Sequence, residues 1–276
     1  MNKILFTFLI SISFVAVSFG QDLEKIKGDR NVTVKQTYLN PFNKIVVGNE
    51  FSIQLIYNTK SSVEIETDEN LHDVIKFSVT DNTLVFTTTH RITSSKKMNI
   101  TVNYSTPLQL IEVNNEAEIR SLTSLELKDV TLKTNDEAKA YLNINANNFV
   151  YQSTGKSKTK LNVTAKTAKI ELSDNSKLEA LVNANEATID LYQRTIANIE
   201  GDVIDATLRI DNNADFNGKN FTAQTGKLIS ELESDAYVNF SKSIIIEAAG
   251  NSEVYLYGEP QITINRFADA AKLQKK

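Results

Sequence analysis

The chain has 276 residues, with 34 acidic against 30 basic side chains, a formal charge of −4, and neither Cys nor Trp. The two signs are interspersed, so no basic stripe exists to track a phosphate backbone, which argues against a nucleic-acid partner. Without cysteine the fold is held by packing alone, and together with an export signal this points to a bacterial protein rather than a disulfide-stapled eukaryotic module.

Residues 1–20 read as a secretory signal. Asn2 and Lys3 precede an apolar stretch from Ile4 to Val17, and Ser18-Phe19-Gly20 places small residues before a cut at Gln21. Removing Lys3 takes the charge from −4 to −5. No Cys follows the apolar run, so lipid attachment is not expected, and no later window is long enough to span a membrane. The expected location is the periplasm, the outer-membrane surface or the exterior. Residues 21–41 form a charged lead-in segment.

Residues 42–110 alternate apolar and polar in "FNKIVVGNEFSIQLIY", "SSVEIETD", "IKFSVTDNTLVFTTT" and "MNITVNYS". That is strand periodicity, and Asp81-Asn82 has the chemistry of a hairpin turn. Two arrangements are open for this segment: irregular rungs of the unit that follows, or a small sheet that caps it.

From 114 onward a repeat takes over. Polar turns end in a small residue at Ala138, Ser157, Ser176, Thr195 and Ala214, each 19 after the last. Ala117 lies 21 before this series, Ala236 lies 22 after it, and Ser252 follows 16 later. The flanking columns keep their character. Leu132, Tyr151, Ile170, Ile189 and Leu208 share one position, and Leu142, Leu161, Ala180 and Ile199 another. Lys133, Gln152, Glu171, Asp190 and Arg209 hold a polar position between apolar ones. Such period-2 runs leave no room for a crossover helix within 19 residues. The spacing predicts an all-β parallel β-helix, a β-solenoid with ~19-residue rungs stacked about 4.8 Å apart. Corners fall on residues that tolerate the left-handed region: Asn114, Asn135, Asp136, Gly155, Asp174, Asn212, Asn213, Asp235 and Gly250. The solenoid is expected over 42–266, with "FADAAKLQKK" (267–276) a short basic cap or tail.

Candidate chemistry is sparse. Asp174, Asp190 and Asp211 sit at different positions relative to their turns, so they form no column for paired acid–base work. His72 and His90 precede the repeat without metal-ligand spacing, no calcium array occurs, and neither a metal nor a cofactor is expected. "TGKS" is a repeat corner rather than a phosphate loop, and no G-x-S-x-G elbow is present. By parity Tyr151, Phe149, Phe216, Phe221 and Phe240 are interior. Tyr255 and Tyr257 flank inward Leu256 and are the candidate binding pair, an exposed aromatic patch near the last rung.

The opening "NPFNKIVVGNEFSIQLIY", the segment "SVEIETDENLHDVIKFSVTDNTLVF", the repeated turns and the closing "VYLYGEPQI" resemble the bacterial auto-transporter adhesin, head GIN domain family, a domain of unknown function common in Bacteroidetes. The likeness spans Phe42 to Ile264, and the family's turn glycines are mostly Asn, Asp or Glu here. The resemblance implies a single-stranded right-handed β-helix with a surface or periplasmic binding role, and it brings no catalytic residues. The expected function is that of an exported non-enzymatic structural or adhesin-like binding protein of the cell envelope, with a glycan or an envelope protein as partner. The alternative is a carbohydrate-active β-helix enzyme.

Overall fold

In the computed structural model, which describes residues 23–276, each strand of the repeat lies parallel on the strand one repeat earlier. The leader expected at 1–20 lies outside the described residues. Lys139–Ser153, Lys158–Leu172, Lys177–Leu191 and Ile196–Asp211 stack in that order, and Leu142 pairs with Leu161, Leu161 with Ala180, and Ala180 with Ile199. The architecture is a β-solenoid of about nine turns with ~19-residue rungs. No α-helix occurs among the described residues.

Each rung has a turn, a first wall of eight residues, a bend, and a second wall of six. In the Lys139–Ser153 rung the bend is at Asn147, where the register between Ala146 and Asn148 passes over one residue. Alternate residues of both walls point inward and form one continuous apolar core. Val163, Ile170, Leu172, Val182 and Ile189 are completely buried. Tyr151, Phe149, Phe216, Phe221 and Phe240 are interior, as their parity predicts.

A polar network is buried among these side chains. The Tyr151 hydroxyl donates to Thr159 Oγ1 at 2.6 Å, and the Thr134 hydroxyl bonds the hydroxyls of Tyr151 and Ser153, each at 3.0 Å. Ser157 closes the chain by donating to the Thr154 carbonyl at 3.0 Å. Burying hydroxyls is tolerable only because each finds a partner. Desolvation pushes the Tyr151 hydroxyl pKa upward, so it remains a donor.

The corners obey a stricter rule than their sequences suggest. Asn49, Asn115, Asp136, Gly155, Asp174, Gln193, Asn212, Leu232, Gly250 and Asp269 all have positive φ, between 57° and 71°. Each stands two residues before the residue that closes its turn, which is buried in every case but Ala271, half-buried at the last turn. Side chains at this position also work across rungs. Asp136 Oδ2 accepts from the Asn115 amide at 3.0 Å, Asp174 Oδ2 from Gly155 at 2.8 Å, and Asp269 Oδ2 from Gly250 at 3.1 Å. Asp and Asn are therefore selected twice, for tolerating the left-handed region and for satisfying an amide one rung away.

This rule corrects one sequence assignment. Asp215 pairs with Asp235, and Asp235 with Glu253, so the closing residue of that turn is Ser234 rather than Ala236. Ala236 instead pairs with Phe216 in the interior. The spacings 22 and 16 become 20 and 18. Asp235, expected in a corner, lies on the first wall.

Both arrangements open for 42–110 are present. Lys44–Val47 and Ser52–Tyr57 form a true rung, paired parallel to Leu110–Val113 and Glu118–Ser121, 66 residues later. The intervening chain covers the exposed edge of that rung. Thr83–Thr88 and Met98–Tyr104 add beneath it in parallel, then Ile75–Thr80 and Ser62–Asp68 pair with them antiparallel, and Val32–Tyr38 follows Ser62–Asp68. Asp81 and Asn82, with φ of 49° and 59°, make the hairpin turn of this cap. At the other end Gln261–Phe267 and Lys272–Lys275 continue the stack as its last strands.

Two substitutions test the wall and corner assignments. Val163→Asp places a charge in the core and is expected to lower stability by several kcal/mol, while Glu171→Lys on the outer surface is nearly neutral; urea midpoints ranked the other way contradict the wall assignment. Leu232 has φ of 58° and is 54% exposed, so it carries left-handed strain without burying its side chain. Leu232→Asn is expected to raise stability by about 1 kcal/mol, and an unchanged or lower thermal midpoint contradicts the corner rule.

Candidate functional site

Because equivalent residues stand above one another, the outer surface is a set of files running along the solenoid axis. The file three residues after the closing position is built from matched neighbours. The Arg120 guanidinium lies 4.8 Å from the Tyr141 ring centre, Lys160 Nζ is 2.7 Å from a Glu179 carboxylate oxygen, and Asn217 Nδ2 donates to Asn198 Oδ1 at 3.1 Å. Tyr237 and Tyr255 stack with centroids 4.4 Å apart and planes 9° from parallel.

This geometry places the two candidate binding tyrosines. Tyr255 and Tyr257 are both half-buried rather than fully exposed, and the stacking partner of Tyr255 is Tyr237, not Tyr257. One face of the Tyr255 ring is covered by Tyr237, while Lys276 Nζ lies 5.1 Å from the ring centre. Lys219 Nζ lies 4.5 Å from the Tyr237 ring centre, so the tyrosine pair is accompanied by a cation at each ring. The Tyr255 hydroxyl donates to Glu253, and chiefly for that reason its pKa is pushed up to about 12. Ring edges, not ring faces, are what this pair presents.

The carboxylates singled out from the sequence are held apart. Asp174 is in a corner bonded to the Gly155 amide, Asp211 accepts from Arg209 at 3.3 Å, and Asp190 lies on the second wall between Glu171 and Arg209. A different carboxylate file exists that the sequence reading missed. Asp215, Asp235 and Glu253 occupy successive rungs in register, with Lys272 next. Taking Ala236 as a closing residue hid it, since that choice displaces Asp235 from the file. Burial raises the carboxyl pKa of both Asp215 and Asp235, and for Asp235 the neighbouring Asp215 and Glu253 charges add to the rise.

The histidines are also separate. His72 Nε2 lies 3.0 Å from the Thr33 hydroxyl, and burial lowers its pKa, whereas His90 Nδ1 lies 2.9 Å from the Thr89 hydroxyl. No cluster of three metal-binding side chains occurs among the described residues.

One concavity was invisible in the sequence. A cleft of about 650 Å³ opens at the capped end, where the Lys25–Lys27 and Arg91–Ser94 ribbon stands off the corners of the first two rungs. Leu23, Phe51, Ile92 and Met98 supply its apolar surface, and Glu50, His90, Arg91 and Glu116 its polar rim. Its parts come from segments far apart in the chain, so no local motif announces it.

The carboxylate file carries a pH prediction. A carboxyl whose pKa is raised on folding contributes stability at low pH that is lost as pH rises through its folded value. Asp235→Asn is therefore expected to stabilise the protein at neutral pH, by less than about 1 kcal/mol given its exposure. The gain disappears below the ordinary aspartate value of 3.8. Thermal midpoints that gain equally at both pH values contradict the proximity of these charges.

Comparison with known proteins agrees with the geometry. The family model described as "Putative auto-transporter adhesin, head GIN domain" matches residues 41–182 and again 162–260, overlapping by about one rung. No curated protein matches the chain. Among solved structures, a putative adhesin from Parabacteroides distasonis is similar over 92% of this chain and 100% of its own, with TM-score 0.68 and 14% identity. A putative adhesin from Parabacteroides merdae is similar over 92% and 99%, with TM-score 0.67 and 11% identity. A structure described as a putative lipid binding protein, also from Parabacteroides distasonis, is similar over 92% and 100%, with TM-score 0.60 and 13% identity. At these identities the solved structures speak for the fold alone. The family match, which covers most of the chain and runs from the first rung to the Gly258 turn, carries the assignment: the protein belongs to the auto-transporter adhesin, head GIN domain family.

Proposed function

We propose that the protein is an exported, non-enzymatic, adhesin-like binding protein of the bacterial cell envelope, with a glycan or an envelope protein as its partner. The observation that carries this reading is the outer surface itself. Rungs locked in register hold files of polar, charged and aromatic side chains at one fixed pitch, and the file three residues after the closing position satisfies itself pair by pair. Such a surface suits repeated, shallow recognition of an extended partner. Preorganised side chains also lose little freedom on binding. The edges and hydroxyls of Tyr237, Tyr255 and Tyr257 are proposed to contribute at the last rungs.

The cleft at the capped end favours one second reading. Its apolar floor with a charged rim is the form that small-ligand sites take, and one structure of similar fold is described as lipid binding. An amphiphile seated against Phe51 and Met98 is the corresponding ligand.

A glycan-array screen of the chain from Gln21 onward, paired with cell fractionation, tests the main reading. Binding without turnover, and recovery in an envelope or secreted fraction, are expected. Release of reducing ends from a bound polysaccharide overturns it in favour of an enzyme. Displacement of a fluorescent fatty acid by lipid, blocked by Met98→Asp, with no glycan bound, moves the function to the cleft.

A further inference from the structure

Charge on the first wall is segregated along the axis. The outward position just after the closing residue carries Lys139, Lys158 and Lys177 on three successive rungs, paired in register and all exposed. At a rung pitch of about 4.8 Å the three ammonium groups form a row of like charges. Like charges placed opposite each other on neighbouring strands are unfavourable. The neighbouring lysines are neutralised, Lys160 by Glu179 at 2.7 Å and Lys156 by Glu137 at 3.4 Å. None of the three in the row has an ion-pair partner among the described residues. The row is a local concentration of positive charge on a chain of net charge −4.

Two other features adjoin it. Asn143 and Asn162 stand in register on the same wall, exposed, and their side-chain amides hydrogen-bond to nothing among the described residues. Asn198 and Asn217, in contrast, bond to each other at 3.1 Å. A shallow depression of about 430 Å³ opens over Leu161 and Ala180, lined also by Lys160, Glu179, Leu181, Asn198 and Glu200; Glu179 is paired with Lys160 at 2.7 Å and Glu200 accepts from Asn220 Nδ2 at 3.4 Å.

A row of cations at fixed pitch, free amides beside it and a shallow seat match a linear polymer that carries an acid group and hydroxyls on successive units. Along a DNA duplex each strand's phosphates advance about 3.4 Å on the helix axis, off the rung pitch. The aromatic ring here, Tyr141, is already covered by Arg120 at 4.8 Å, which removes a platform for bases. A membrane-seeking face carries an apolar stripe, whereas Leu181 is the lone exposed aliphatic beside this row. We propose that this wall, from Lys139 to Asn198, binds an acidic glycan of the polyuronate type, laid along the solenoid axis with its carboxylates over the lysine row. The inference rests on the binding-protein reading and adds the charge class and seat of the ligand.

The test uses the chain from Gln21 onward against immobilised polygalacturonate, its methyl ester and single-stranded DNA. The variants are Lys139→Gln with Lys158→Gln and Lys177→Gln together, and Lys133→Gln on the second wall as control. The wild type is expected to prefer polygalacturonate to both other polymers. The triple variant is expected to bind polygalacturonate about a hundredfold more weakly, the order expected when three cations facing an anionic array are lost. Its circular dichroism stays unchanged and its thermal midpoint is equal or higher, because repulsion is relieved. The control binds normally. Undiminished binding by the triple variant overturns the inference, as does equal binding of DNA, which means unspecific charge attraction. Binding of the neutral ester alone overturns it while leaving the binding-protein reading intact. Binding to none of the three polymers overturns the inference, and the glycan array then decides the broader reading separately.

Discussion

The structure depends on one constraint: parallel strands locked in register, each residue stacked over its counterpart one rung away. That constraint acts on every position. Inside, a column accepts a large residue only where its neighbours leave room, as Ala236 does beside Phe216. In the corners, one position must be left-handed in every rung, and ten successive residues comply. Outside, stacking sets each side chain beside its counterpart, and along one file every neighbour finds a favourable contact: Arg over Tyr, Lys paired with Glu, Asn hydrogen-bonded to Asn, Tyr stacked on Tyr. The lysine row and the Asp215–Asp235 pair are places where like charges stand in register instead, as Glu171 and Asp190 do on the second wall.

A parallel stack also has two ends with unpaired backbone, a hazard for edge-to-edge association. The two ends are treated differently. At the first, two parallel strands cover the opening rung, and the chain then reverses direction so that antiparallel strands pair with that cover. At the second, Gln261–Phe267 leaves Ile262 39% and Ile264 51% exposed. Charge and irregularity blunt this edge. The register slips between Ile264 and Arg266, Arg266 pairs with Glu231 at 3.0 Å, and Lys272, Lys275 and Lys276 crowd the last strand.

The repeat was legible because it is a local signal multiplied many times. Parity alone placed Tyr151, Phe149 and Val163 inside. The misassigned turn at Ala236 is instructive for the same reason. Ser234 and Ala236 are both small and differ by two positions, so the substitution preserved parity and the interior came out right. The outer files depend on register, and there the Asp215–Asp235–Glu253 file was lost. Strand alternation in 62–104 was visible, but its direction was not, since parallel and antiparallel strands share one periodicity. The cleft beside Phe51 joins segments brought together only by the 66-residue return of the chain to its first rung, and nothing local encodes that closure. The half-burial of Tyr255 likewise follows from Tyr237 and Lys276, one rung away on either side.

The central claim is a constant axial advance per rung. Since the chain has no native cysteine, paired spin labels can be placed without background. Labels at 139 and 215 are four rungs apart, at 139 and 235 five, and at 139 and 253 six. Electron–electron dipolar distances are predicted to rise linearly through about 19, 24 and 29 Å. Distances that fail to increase in that order, or that cluster at one value, contradict the stacked-rung account.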